Sequence, residues 1–149
     1  MRTRSAAKWL VLPALILAGS IATANAAIVR NGFSYSQYAT TSGQCPDGNK
    51  PVRHANKTWC RTYTATLRWA IPTTRENGQP LQLSELAGYE IYWTRDSDSA
   101  TGTIKIAGGQ VATQKFETFV PTTYHFAMSA IDTKGLKSRL STLVNTPLR

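Results

Sequence analysis

From Thr58 to Ile71 the chain alternates. Trp59, Tyr63, Ala65, Leu67, Trp69 and Ile71 share one parity, and Thr62, Thr64, Thr66 and Arg68 take the other. A period of two marks a strand with one dry and one wet face, and Thr, Tyr and Trp suit a pleated, half-buried surface. Arg61 interrupts the apolar parity, so burial is expected to begin after it. The alternation returns in Gly88–Thr94, with Tyr89, Ile91 and Trp93 opposed to Glu90, Tyr92 and Thr94. It is strongest in Tyr124–Ile131, where Tyr124, Phe126, Met128 and Ala130 share one face and His125, Ala127, Ser129 and Ile131 the other. Asp132-Thr-Lys-Gly135 then reads as a hairpin turn, since Asp bonds its own backbone two residues on and Gly tolerates positive φ. Shorter strands are predicted at Thr103–Ala107 and at Val111–Phe119, the latter anchored by Phe116 and Phe119. A last strand is predicted at Leu136–Val144, with Leu136, Leu140 and Leu143 available to pack. Pro72–Leu86 is a loop punctuated by Pro72, Asn77-Gly78 and Pro80, with a short helical turn at Ser84-Glu-Leu. No stretch repeats apolar residues at helical spacing over three turns. Short strands with frequent turn signals predict an all-β antiparallel sandwich or barrel.

The start of the chain follows another pattern. Arg2, Arg4 and Lys8 precede an apolar run from Trp9 to Gly19, too short for a span of about 20 residues. Ala24-Asn25-Ala26 then supplies a small-x-small cleavage triplet. Residues 1–26 are expected to be an export signal cut after Ala26, leaving one domain's length of chain with no second apolar segment. Removing three cations from the 17 Lys and Arg leaves 14 against 8 Asp and Glu, about +6. A basic exported chain meets anionic surfaces, or the charge merely keeps it soluble; the cations form no run that marks specific nucleic-acid binding.

Cys45 and Cys60 are the only cysteines. In an oxidising compartment an even count reads as a disulfide, here closing about 15 residues and contributing on the order of 3 kcal/mol in the chain-entropy picture. The alternative, a metal site of Cys45, His54 and Cys60, has no CxxC pair and lacks a fourth ligand.

Ala65-x-Leu67-x-Trp69-x-x-Pro72, then Asn77-Gly78-x-Pro80-Leu81 and Leu86-Ala-Gly-Tyr-Glu-Ile-Tyr-Trp93, resemble strands B and C of a fibronectin type III domain, its bacterial secreted branch in particular. Phe119-x-Pro121-x-Thr123-Tyr124-x-Phe126-x-Met128-x-Ala130-x-Asp132-x-x-Gly135-x-x-Ser138-x-x-Ser141 resembles strands F and G. The resemblance covers about Tyr63 to Pro147. It implies a seven-stranded immunoglobulin-like sandwich, places Trp69 and Tyr89 in the core, and makes Tyr124 the corner tyrosine whose hydroxyl bonds back to nearby backbone. Phe119 and Thr122 stand where the family usually has Leu and often Gly. The domain is thus expected over residues 63–149. Residues 27–62 form an extension pinned by Cys45 and Cys60, with Asn31–Tyr38 the candidate for strand A.

Little in the chain suggests catalysis. No Gly-x-Ser-x-Gly elbow occurs, no serine is set beside His54 or His125, and Glu76, Glu85 and Glu90 show no pairing. Gly108-Gly109 precedes no helix and reads as a turn. Asp96 and Asp98 on a polar loop are candidates for calcium or for plain solvation. No cofactor is expected. Binding is better supported: Lys50, Arg53, His54, Lys57, Trp59 and Arg61 interleave cations with an aromatic ring, a composition that suits an anionic glycan or a surface protein. The alternative is that Trp59 covers the disulfide and the cations are only solvated. Tyr92, Glu90 and Arg68 mark a second outward surface. Residues 44–59, 72–86, 95–102 and 132–135 are the candidate loops. The expected role is an exported, non-enzymatic binding or adhesion module, in the periplasm or outside the cell. The alternatives are a structural subunit of a surface filament that self-assembles by strand pairing through Ile28–Tyr38, and an accessory domain beside a separate catalytic chain.

Overall fold

Among the described residues, alternation and turn chemistry place eight strands, β1 (Ala26–Gln37), β2 (Val52–His54), β3 (Lys57–Trp69), β4 (Leu86–Arg95), β5 (Thr101–Ala107), β6 (Thr113–Thr118), β7 (Thr123–Asp132) and β8 (Val144–Pro147). The computed structural model describes residues 21–24, 26–37, 44–45, 49–54 and 57–149. The apolar run Trp9–Gly19 and Asn25 of the cleavage triplet lie outside the described residues.

All pairings are antiparallel, in two sheets. In one, β3 pairs with β1 along one side, and with β2 and then β6 along the other. The second runs β5-β4-β7-β8. β1, β3 and β6 take the positions of strands A, B and E, and β5, β4, β7 and β8 those of C′, C, F and G, so the chain is a fibronectin type III-like sandwich. β3 runs unbroken across Thr62–Tyr63, so the extension and the sandwich share a strand.

The core is aromatic. Trp69 meets Tyr89 at 5.1 Å between ring centroids, and Phe116 lies 5.0 Å from Tyr124 and 5.1 Å from Phe126. Ala65, Leu67, Ile91, Met128 and Ala130 fill the spaces between them, on the parities expected. The Tyr124 hydroxyl bonds Thr118 Oγ1 at 2.7 Å, with the Val120 carbonyl farther off at 3.5 Å. Ile21 and Ala24 also enter the core, where Ile21 bridges to Arg75.

Asp132 organises the turn after β7. Its Oδ1 accepts the N–H groups of Lys134 and Leu136, both at 2.9 Å, and Gly135 takes the positive φ that closes the turn. Its Oδ2 faces Arg75 Nη1 at 3.2 Å, and Arg75 Nη2 meets Glu85 at 3.0 Å. The expected helical turn is a 3-10 turn at Leu83–Glu85, closed by Glu85 Oε2 on the Gln82 N–H. One buried carboxylate thus ties the loop of residues 72–86 to the hairpin.

The last strand departs from expectation. Leu136, Leu140 and Leu143 are exposed, Leu143 by 64%, and the regular pairing of β8 starts only at Val144. Ser138 and Ser141 explain this. Ser138 donates its N–H to the Ala130 carbonyl at 2.9 Å and accepts the Ala130 N–H on Oγ at 3.0 Å; Ser141 does the same with Met128, at 2.8 and 3.0 Å. Two serines three residues apart satisfy the edge of β7 in place of a ladder, and this turns the leucines outward. In β6, Phe116 is buried as expected, and just beyond the strand Val120 rather than Phe119 is the second buried anchor.

Asp132→Ala leaves two turn N–H groups without their acceptor and removes one of the two carboxylates that Arg75 bridges, and is expected to cost about 2–3 kcal/mol. Urea unfolding of both forms measures it; a loss within error of zero contradicts this role for Asp132.

Candidate binding site

Burial along β3 changes face. From Tyr63 to Trp69 the odd-numbered residues are buried against the second sheet; before that, the buried residues are the even-numbered Cys60 and Thr62. The ribbon of β1 and β3 therefore overhangs the second sheet, and its inner face is left uncovered there. The pairing register fills this face: Phe33 stands opposite Tyr63, Tyr35 opposite Arg61, and Val52 of β2 opposite Trp59. Phe33 is 54% exposed, Tyr35 45% and Val52 47%, a cluster of large apolar side chains that the sandwich does not use.

Arg61 binds the cluster together. Its guanidinium lies 4.5 Å from the Phe33 ring centroid, 5.5 Å from Tyr35 and 5.9 Å from Tyr63, and donates to the Tyr35 hydroxyl at 3.0 Å. The hydrogen bond to Tyr35, with a second to Tyr63, raises its pKa above the ordinary value. Ring faces attract the cation, and the fork fixes the tilt of the phenol. No carboxylate pairs with it among the described residues.

The other side of the face is built by the disulfide. Cys45 and Cys60 are bonded, with their Cα atoms 5.6 Å apart. This anchors the segment that returns through Asn49 to β2. Between β2 and β6 no described strand pairs with Arg61 on that side of β3, and Asn49 Nδ2 donates instead to the Arg61 carbonyl at 2.5 Å. The result is a shallow cleft of about 320 Å³ lined by Tyr35, Asn49, Lys50, Val52, Arg61, Tyr63 and Pro121.

Of the residues singled out from the sequence, the structure brings Lys50 and Arg61 to this cleft. Trp59 and Lys57 share the parity of Arg61 farther out on the ribbon; Trp59 is half-buried and Lys57 exposed. Arg53, opposite Thr58, stands on the other face. His54 falls in β2, and its side chain lies outside the described residues. Phe33, Tyr35, Asn49, Val52, Tyr63 and Pro121 were not singled out as binding residues. The weak alternation of Asn31–Tyr38 was visible, but the register that sets Tyr35 beside Arg61 is not a local property.

The other candidates are occupied. Arg95 holds Asp98 through two hydrogen bonds of 2.7 Å and lowers its pKa to about 2. Glu76 pairs with Arg139, Glu85 with Arg75, and Glu90 with Lys137 at 2.6 Å. Glu90, expected on an outward surface, is buried beneath Lys137 and Tyr92. Among the described residues no group of three or more His, Cys, Asp or Glu is placed to hold a metal ion. No described helix is long and apolar enough to cross a membrane.

No family model and no curated protein matches the chain by sequence. Among solved structures it is similar to the third fibronectin III domain of the human KIAA0343 protein, with 14% identity and a TM-score of 0.45 over 57% of this chain and 70% of that one. It is also similar to a structure described as a myokine, with 16% identity and a TM-score of 0.43 over 57% of this chain and 81% of that one. Likenesses of this size say nothing of a partner or an activity, and the strand order itself defines the fold.

The loop of residues 95–100 carries a pH-sensitive tether. His125 Nδ1 lies 2.7 Å from Asn145 Oδ1 and its Nε2 2.6 Å from Asp96 Oδ1. Both partners are acceptors, so the doubly protonated ring satisfies both; the Asn145 bond first, and then Asp96, raise the imidazole pKa. A raised folded pKa gives stability that is complete below the unfolded value of about 6.5 and is lost as pH rises through the folded value. Thermal melts at about pH 5.5 and about pH 8.5 are expected to differ more for the native chain than for His125→Gln; equal differences contradict the tether.

Proposed function

We propose that this chain is an exported, non-enzymatic binding module that takes anionic glycan on the overhanging face of β1 and β3. The observation that carries this reading is the Arg61 guanidinium, paired with no carboxylate among the described residues and set among the exposed rings of Phe33 and Tyr35. Sugar rings present C–H faces that stack on aromatic side chains, and a uronate carboxylate accepts from a guanidinium in a bidentate pair. Lys50 adds a second cation at the rim of the cleft, and no carboxylate lines it among the described residues. The cleft is shallow, which fits recognition along a polymer better than enclosure of a small substrate. The mature charge of about +6 draws the chain to the same class of ligand.

Export supports the reading, since a disulfide supports the ribbon that carries the site. Cleavage after Ala26 removes Ile21 and Ala24 from the core. A buried Ile is worth about 2–3 kcal/mol, so the processed chain is the less stable form, and it also loses Ala26, the first residue of β1 and the partner of Trp69.

A soluble polyuronate is expected to bind the purified chain with an affinity that falls steeply with salt, whereas a neutral dextran does not bind. Arg61→Ala and Tyr35→Ala are each expected to weaken polyuronate binding about tenfold, and Arg53→Ala, on the opposite face, to leave it near the native value. Calorimetric titration distinguishes them. Equal binding by the native chain and both site variants overturns the site; equal binding of dextran and polyuronate overturns the ligand class.

A further inference from the structure

β1 is the rim of its sheet. It pairs with β3 along its length and, among the described residues, no strand pairs with its other side. A bare edge presents a row of N–H and C=O groups, and folded proteins guard such rows with charges, prolines, bulges or short length. β1 has two such devices, the register shift between Ile28 and Arg30 and the charge of Arg30 itself, and both lie toward the core end of the strand. Beyond them, Asn31-Gly-Phe-Ser-Tyr-Ser-Gln37 contains no charge and no proline. An uncharged run of this length with two aromatics is the composition that accepts another strand. Phe33, Ser34 and Tyr35 are all exposed.

The segment is complementary to itself. In an antiparallel register centred on Ser34, Phe33 stands opposite Tyr35 of the partner subunit, and Tyr35 opposite Phe33 of the partner subunit. Gly32 meets Ser36 of the partner subunit, and Ser34 meets its own copy. Two aromatic cross-strand pairs then lie on one face with no like charges opposed, the arrangement that stabilises such a ladder. Pro147–Arg149 border Asn31–Phe33, so the central residues 33–35 form the main contact.

We propose that two copies of this chain pair β1 to β1, antiparallel about Ser34, and so join their sheets. The two-fold axis stands perpendicular to the sheet and keeps both inner faces on the same side. The partner copy thereby extends the cluster of Phe33, Tyr35 and Arg61 with its own, and one polymer can span both. The contact closes on itself, because each β1 edge is used by its partner; it makes a dimer and not a filament. Joining two clefts raises avidity without any new contact to the ligand. The pairing does not depend on what the cleft binds.

Sedimentation of the protein as exported, from micromolar to millimolar concentration, is expected to show a monomer–dimer equilibrium without added glycan. Ser34→Lys sets two ammonium groups opposite one another at the axis and is expected to raise the dimer dissociation constant at least about fivefold. Ser34→Glu is expected to do the same. An equimolar mixture of the two variants restores the dimer, which a folding defect in either would not allow. A native chain that stays monomeric throughout overturns the proposal. So does a dimer that both substitutions leave intact, and so does a mixture that remains monomeric.

Discussion

The pairing of β1 with β3 is the interaction on which the rest of the molecule depends. Eleven register pairs run from Ala26 with Trp69 to Gln37 with Trp59. At the Trp69 end the ribbon is half of a sandwich, with its inner face packed on Tyr89, Phe126 and Met128. At the Trp59 end the opposing sheet has stopped and the same face is open. A single strand pair thus changes from core to surface along its length, and the change falls between Arg61 and Tyr63. Arg61 interrupts the apolar parity there, but Trp59 and the facing rings of Phe33 and Tyr35 carry it on, and what is missing is the cover. The exposed rings are therefore carried on a paired ladder continuous with that of the core, and residues on paired strands are positioned better than those on a loop.

The disulfide belongs to the same construction. Past the end of the second sheet, the ribbon loses the packing that would otherwise fix it. The Cys45–Cys60 bond replaces some of that support from the outer side, burying Cys60 where the sandwich leaves off. Asn49 supplies a side-chain donor where β3 lacks a neighbour. Arg61 is then held from two directions, by its carbonyl at the backbone and by its guanidinium among three rings.

Most of the sandwich was legible because its signals are local. Period-two burial in β3, β4 and β7 follows directly from Leu67, Trp69, Tyr89, Ile91, Phe126 and Met128, and the turn after β7 follows from Asp132 and Gly135. The leucines at 136, 140 and 143 misled because apolar character was read as burial, whereas two serines three residues apart had already taken the inward positions through hydrogen bonding. The site was legible only in part. Arg61 and Lys50 stood out by charge. Phe33 and Tyr35 did not, because their role arises from a register between segments some 26 residues apart (Tyr35 to Arg61) and from a length mismatch between two sheets. Neither is written in the spacing of any one segment. Arg53 was grouped with Lys50 by proximity in sequence, yet the alternation of β2 sets it on the other face.

The overhanging face of β1 and β3 is the part of the molecule proposed to meet an acidic polymer. Amide and side-chain NMR of the isotope-labelled chain, titrated with a short oligouronate, tests this contact most directly. The predicted result is a set of saturable shifts confined to Phe33, Tyr35, Lys50, Val52, Arg61 and Tyr63. Shifts centred instead on the loop of residues 95–102, or on the exposed leucines at 140 and 143, would contradict it.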